Sequence, residues 1–310
     1  MVLLVCAGWC ATATGVGTQT VPAAAGPQRF TVTSDGHPIA VWARVPAAPR
    51  MSILLIHGRT WSSRPDFDLQ VPGLKRSVMQ SLADRGIAAY AVDLRGYGET
   101  PRDPSGFTTP MRAASDVADV LKWMAARHPS LQKPAILGWS NGGLVAQLVA
   151  QQSASLLSSV TLFGYTPGRD YNIPPALATM IKLVAPRTKN TAEAAASDFI
   201  SPRVTPPAVV KAFVAAALAA DPVFAEWSND HEWNALRADR MRVPVMLLHG
   251  ANDPGASPQL AGEFLAAVES QSRSYVVLPL ADHCAQLEDT HEAFVSSVVE
   301  FITRPGPVRK

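Results

Sequence analysis

The chain is poor in cysteine, in net charge and in long apolar runs. Its 310 residues include three cysteines, Cys6, Cys10 and Cys284, too few for a disulfide framework and without the spacing of a cysteine metal site. Lys and Arg number 27 against 25 Asp and Glu, a net charge of +2 spread along the sequence. No basic face therefore suggests nucleic acid, and no acidic run suggests a charged tail. No stretch stays apolar for the roughly 20 residues that a bilayer crossing needs. No internal period indicates a repeat array, no segment is low in complexity, and no cluster of metal-ligating residues has workable spacing.

What is present begins with an apolar stretch, Val2 to Cys10, followed by Thr- and Gly-rich sequence and by Pro22-Ala-Ala-Ala-Gly26. Residues 1–25 read as a signal peptide without its basic end, with Ala23-Ala24-Ala25 as the small-residue cleavage site. Export to the periplasm or medium is the expectation, and a cytoplasmic location the alternative if the segment is not a signal. Cleavage would leave Cys284 as the one cysteine.

The rest is organised around Ala135-Ile-Leu-Gly-Trp-Ser-Asn-Gly-Gly-Leu-Val-Ala-Gln147, where a short apolar run meets a small-residue turn and then a helical pattern. Gly138 and Gly142 bracket Ser140 at the G-x-S-x-G spacing, between a candidate strand and a candidate helix. Such a turn strains the serine backbone and leaves no room for side chains at the glycine positions. It lifts the hydroxyl out of the sheet and turns the first helical amides toward the same spot. Further along lie His57-Gly58-Arg59, Asp93-Leu-Arg-Gly-Tyr-Gly98 and His249-Gly-Ala-Asn-Asp253, each after an apolar strand, and His283 near the end.

Together these motifs resemble the α/β-hydrolase family over roughly residues 28 to 303, in the order Ser, Asp, His that this fold uses. The resemblance implies a mostly parallel, doubly wound sheet of about eight strands, with a core over 26–164 and 237–310. A helical cap is expected at 165–236, where proline pairs and Phe199, Phe213, Phe224, Trp227 and Trp233 interrupt strand–helix alternation. Those aromatics form either the pocket roof or the cap's own core. Strands are expected near 29–33 and 39–45, a hairpin around Asp35-Gly36, and at 52–56, 88–92, 135–139, 160–163, 243–248 and 275–278. Helices are expected over 73–85, 110–128, 141–152 and 290–303.

The family's roles fall on Ser140 as nucleophile, His283 as base and Asp253 as the acid that orients it, with the backbone amides of Arg59 and Asn141 as the oxyanion hole. Asp170 and Asp282 compete for the acid's role; Asp170 lies several residues past its strand, and Asp282 is adjacent to the ring that it would have to hold. His57, His249, Asp93 and Arg95 are expected to brace loops, and His128 to be a solvated helix-end residue. Trp61, Trp139 and Tyr165 are the candidate pocket residues, with Trp61 either lining the pocket or packing beneath it. No cofactor is implied, and the partner is a small-molecule ester.

The expected activity is carboxylic ester hydrolysis through an acyl-enzyme, with activity falling on the acid side of about pH 6.5, where an imidazole protonates. Related dehalogenases and epoxide hydrolases carry a carboxylate at the position of Ser140. An amidase or proline-releasing aminopeptidase of the same fold is the alternative. It needs acids for a free amino group, for which Glu193, Asp198, Asp221 and Glu226 are available. A non-catalytic, hydrolase-like binding protein is the third reading.

Overall fold

A computed structural model describes residues 26–167, 171–174 and 185–304. The expected signal segment and Asp170 lie outside the described residues. Strands β1 (Gln28–Ser34) and β2 (His37–Arg44) form the expected hairpin. Its two-residue turn has positive φ at both Asp35 (47°) and Gly36 (72°), the geometry that an Asp-Gly pair adopts at little cost. β3 (Met51–Ile56) and β4 (Ile87–Val92) are buried along their whole length, as their unbroken apolar sequences require.

Between them lie α1 (Ser63–Phe67) and α2 (Val78–Ala83). The helix expected from residue 73 starts only after Ser77, whose side chain caps the Gln80 amide. Gly73, at φ 76°, instead sits in a turn closed by a Val71–Leu74 bridge.

α3 (Pro110–Arg127) begins at a Thr109 cap with proline in its first turn, and buries Val117, Val120, Leu121 and Met124. Each of those side chains contributes roughly 1.5–3 kcal/mol by leaving water. At its end His128 is bonded to the Tyr90 hydroxyl at 2.7 Å, so it is a partnered residue rather than a solvated one. β5 (Ala135–Trp139), α4 (Asn141–Gln152) and β6 (Ser159–Phe163) follow.

The chain then leaves the sheet and carries α5 (Ala192–Ala196) and α6 (Pro207–Ala220) before returning as β7 (Val245–Gly250), α7 (Pro258–Ala267), β8 (Arg273–Leu278) and α8 (His291–Ile302). No described helix is long and apolar enough to cross a membrane.

The eight strands pair in the order β1-β2-β4-β3-β5-β6-β7-β8, antiparallel at β1/β2 and β2/β4 and parallel elsewhere. Alternation divides the apolar core between the two faces. Leu54 and Ile56 join one cluster with Val117 and Val145, while Ile53 and Leu55 join the other with Met79 and Phe294. The loops at the carboxyl ends of the parallel strands gather at one edge of the sheet, where ligands bind in open α/β folds.

The described residues between β6 and β7 pack across that edge. Phe213 of α6 meets Trp61 and Phe199 edge-on, with ring centroids 6.3 and 5.1 Å away. Asp221, just past α6, accepts from the Ser62 and Gly98 amides at 2.7 and 2.8 Å. A two-residue parallel ladder joins Phe107–Thr108 to Glu226–Trp227.

Candidate active site

Ser140 caps α4 with φ 53° and ψ −119°, a backbone conformation that costs a non-glycine residue about 1–3 kcal/mol. Neighbouring contacts hold it there. Its amide donates to the Phe163 carbonyl at 2.8 Å, and its carbonyl accepts from Gly143 at 2.9 Å. The bracketing glycines are needed for space. A Cβ on Gly138 would lie 2.1 Å from the Gly142 carbonyl oxygen, and one on Gly142 would lie 2.4 Å from the carbonyl oxygens of Ile56 and His57.

The loop after β7 carries Asp253 and the loop after β8 carries His283. The imidazole Nδ1 lies 3.0 Å from Asp253 Oδ2, and Asp253 Oδ1 accepts from the Gly255 amide at 2.8 Å. Asp253 is 2% exposed at its side chain and His283 23%, so the carboxylate acts on the ring with little water between them. Burial alone would lower the His283 pKa. The hydrogen bond and charge of Asp253, helped by Asp198 and Asp282, outweigh burial and hold it above the ordinary histidine value. Burial likewise opposes ionisation of Asp253, and the His283 hydrogen bond overcomes it, drawing that carboxyl below its usual range. Asp282 spends its oxygens on the Cys284 and Ser201 amides.

Ser140, Asn141, Arg59, Asp253 and His283 line one cavity of about 520 Å³, with Leu144, Gly164, Tyr165, Ile173, Ile200 and Trp233 among its other walls. Among the described residues, the amides of Arg59 and Asn141 donate to no other protein group. Nor, among the described residues, does a hydrogen bond join the Ser140 hydroxyl to His283, although both line the same cavity.

His57 is a structural residue here. Its Nδ1–H donates to the Gly58 carbonyl at 2.8 Å and its Nε2 accepts from Leu94 at 3.0 Å, which fixes the tautomer. Burial, opposed by the Asp93 charge, pushes its pKa down to about 4, so the ring stays neutral. His249 donates from Nε2 to the Tyr165 carbonyl at 2.7 Å.

Asp93 and Arg95 each brace the structure but do not pair with one another. Asp93 takes Trp42 Nε1, the Ser63 hydroxyl and the Ser63 and Glu99 amides, whereas Arg95 forks onto Asp116 of α3 and reaches Asp103. A Cβ on Gly98 would lie 2.4 Å from Asp93 Oδ2, which explains that glycine.

Of the three expected pocket residues only Tyr165 lines the cavity. Trp61 is buried beneath the site, with its indole N–H on Asp198 Oδ2 at 2.9 Å. Trp139 is also buried, and its indole N–H donates to the His283 carbonyl at 2.9 Å, which steadies the histidine loop. Of Phe199, Phe213, Phe224, Trp227 and Trp233, Trp233 lines the cavity, and Tyr171 earlier in the same segment lines it too.

Of the acids reserved for an amino group, Asp221 and Asp198 are engaged with Ser62, Gly98 and Trp61, Glu193 faces solvent, and Glu226 lies in the short ladder. Besides Asp253, the cavity is lined by one other acid, Asp230, which faces the Arg59 guanidinium at 3.8 Å. Sequence spacing carries no signal for Asp230, Tyr97 or Asp66, whose partners come from other loops.

A model of the alpha/beta hydrolase family matches residues 53–297. Dipeptidyl aminopeptidase BIII of Pseudoxanthomonas mexicana is 22% identical over 268 residues, 83% of this chain and 33% of its own length. Serine hydrolase BPHL of Mus musculus is 30% identical over 115 residues, 36% of this chain and 35% of its own length. The chain therefore spans about a third of the length of these curated relatives. Among solved structures, the thioesterase domain from the curacin biosynthetic pathway superposes with a TM-score of 0.64 at 16% identity, covering 89% of this chain and all of that one.

Proposed function

Because the chain belongs to the alpha/beta hydrolase family, we propose that it is a serine hydrolase that cleaves carboxylic esters through an acyl-enzyme on Ser140. The observation that supports this most is the convergence of Ser140, the Asp253–His283 pair and two undonated amides on one cavity.

In this reading His283 Nε2 takes the Ser140 proton as the hydroxyl oxygen attacks the ester carbonyl. The oxyanion rests on the Arg59 and Asn141 amides, and Asp253 keeps Nδ1 protonated and stabilises the imidazolium. His283 then gives its proton to the leaving alcohol. Water, deprotonated by the same ring, releases the acid. The segment 165–236 serves as the cap, and the Leu144, Ile173, Ile200 and Trp233 walls receive apolar parts of the substrate.

An aminopeptidase reading is favoured by the dipeptidyl aminopeptidase relative. It has weaker support from the cavity, where Asp230 already faces a cation.

The test is hydrolysis of p-nitrophenyl esters from acetate to decanoate, beside aminoacyl p-nitroanilides, by the full chain and by Ser140→Ala. Serine-dependent ester turnover with a chain-length optimum is expected. Turnover confined to aminoacyl anilides would replace the ester reading with the peptidase one. Absence of turnover together with no fluorophosphonate labelling of Ser140 would favour a binding protein.

A further inference from the structure

The loop that carries the Arg59 amide is tethered at three consecutive peptide groups. Gly58 N–H donates to Asp66 Oδ2 at 3.1 Å, the Gly58 carbonyl accepts from His57 Nδ1 at 2.8 Å, and the Arg59 carbonyl accepts from the Tyr97 hydroxyl. In a trans peptide the N–H and C=O point opposite ways. Holding the Gly58 carbonyl against His57 therefore turns the Arg59 N–H away from that ring, and holding the Arg59 carbonyl against Tyr97 stops the next peptide from rotating the loop out of register.

The first two tethers end in the core, but the third continues. Trp227 Nε1–H donates to the Tyr97 hydroxyl at 2.7 Å. An indole N–H can only donate and a carbonyl can only accept, so the Tyr97 proton must lie on the Arg59 side; the direction of the chain of bonds is settled by chemistry. Tyr97 is fully buried and packs on His57, with ring centroids 4.4 Å apart. Trp227 belongs to the segment between β6 and β7. Its backbone pairs with Thr108, the Arg59 guanidinium lies 5.7 Å over its ring, and it stacks on Trp233 at 5.8 Å and 29°. Trp233 is a wall of the cavity.

We propose that Tyr97 and Trp227 are positioning residues that set the oxyanion amide of Arg59 and couple it to the cavity wall at Trp233. This rests on the reading of Arg59 as an oxyanion donor. A substrate that presses on Trp233 then acts on turnover as well as on binding, because the wall and the amide share one run of contacts. Neither side chain touches the reacting atoms. Losing either one loosens the donor that meets charge only in the transition state, which lowers kcat and leaves KM nearly unchanged.

The experiment compares the full chain with Tyr97→Phe, Trp227→Phe and the double variant. It measures kcat and KM on the best ester of the p-nitrophenyl series, the pH profile, and melting temperature. Tyr97→Phe keeps the ring that packs on His57, and is expected to lower kcat about tenfold with KM within twofold. Trp227→Phe leaves the Tyr97–Arg59 bond in place, and is expected to lower kcat about threefold.

Because both act through one chain of bonds, the double variant should be no slower than Tyr97→Phe alone. The acid limb of the pH profile should not move, since the Asp253–His283 pair is untouched. Should Tyr97→Phe fail to fold, Trp227→Phe alone carries the test through its kcat against KM. An active wild-type chain whose variants keep full kcat, lose only KM or melting temperature, or show multiplying losses overturns the proposal and leaves the serine-hydrolase reading standing. A wild-type chain with neither turnover nor Ser140 labelling overturns that reading and the proposal with it.

Discussion

Replacing Asp253 by asparagine keeps its shape and removes one acceptor, and the structure determines which one is lost. One carboxylate oxygen accepts from Gly255 N–H and the other from His283 Nδ1–H, at 2.8 and 3.0 Å. An amide has one oxygen for those two donors. If the oxygen stays on Gly255, the NH2 group faces Nδ1, which must then become an acceptor; the ring proton moves to Nε2 and Ser140 has no base. If the amide flips, the useful tautomer survives, but a buried NH2 is set against a buried N–H, at a cost of about 1–3 kcal/mol. The wrong tautomer is thereby favoured roughly 5- to 150-fold.

Loss of the charge that stabilises the imidazolium comes on top of this. The expected fall in kcat/KM is about 10³- to 10⁴-fold, or roughly 4–5.5 kcal/mol of barrier. The second-order rate of fluorophosphonate labelling of Ser140, read from pH 5 to 9, measures it independently of the natural substrate. Because Asp253 raises the His283 pKa, the residual activity should also titrate at lower pH than the wild-type limb. Retention of more than about a tenth of the wild-type rate, or an unmoved limb, would refute the reasoning.

The other predictions concern the ring, the turn and the core. In the wild-type chain the acid limb of kcat/KM should lie above the ordinary histidine value of about 6.5, since His283 is held above it and must be unprotonated to act; a limb below that value contradicts the Asp253 assignment. Gly142→Ala places a Cβ 2.4 Å from two backbone carbonyl oxygens that cannot swing aside, and urea unfolding should register a loss of about 2–3 kcal/mol. Asp116→Ala takes both forked acceptors from the buried Arg95 and leaves it Asp103, so it should destabilise by about 1.5–3 kcal/mol, again by urea unfolding.

Burial pushes the Glu288 pKa up to about 9, helped by the Asp282 carboxylate beside it. The folded chain keeps that proton while the unfolded chain loses it above about pH 4.5, so this group's contribution to stability declines as pH rises toward 9. Melting temperatures across pH 6.5 to 9 should fall in the wild-type chain and flatten in Glu288→Gln.

The continuous apolar strands, the Asp35-Gly36 hairpin and the G-x-S-x-G turn are legible because each depends on neighbours within a few residues. Strand alternation sorts Ile53 and Leu55 from Leu54 and Ile56 with no knowledge of the partner. Gly138 is required by the Gly142 carbonyl four positions on, whereas Gly142 is required by the Ile56 and His57 carbonyls, which only the fold brings against it. Residues 52–56, 88–92 and 135–139 could therefore be placed as strands, and Ser140, Asp253 and His283 singled out as residues after strand ends.

The fate of the large polar and aromatic side chains was decided elsewhere. Trp61 and Trp139 have the size and position of pocket walls, yet Asp198, 137 positions away, and the His283 carbonyl, 144 positions away, take their indole protons and turn them inward. Asp93 and Arg95 look like a pair until Trp42, Ser63 and Asp116 claim them. Tyr97 meets the Arg59 carbonyl across 38 residues and Trp227 across 130. A buried hydrogen-bonding group must find a partner, and which partner it finds depends on what loop lies across it. The sequence by itself determined the strands, the serine turn and the order of the chemical groups, because short-range sterics and periodicity suffice for those. Only the tertiary structure decided which side chains line the cavity and which hold it in shape, because that choice is made by hydrogen bonds between segments that the chain order keeps far apart.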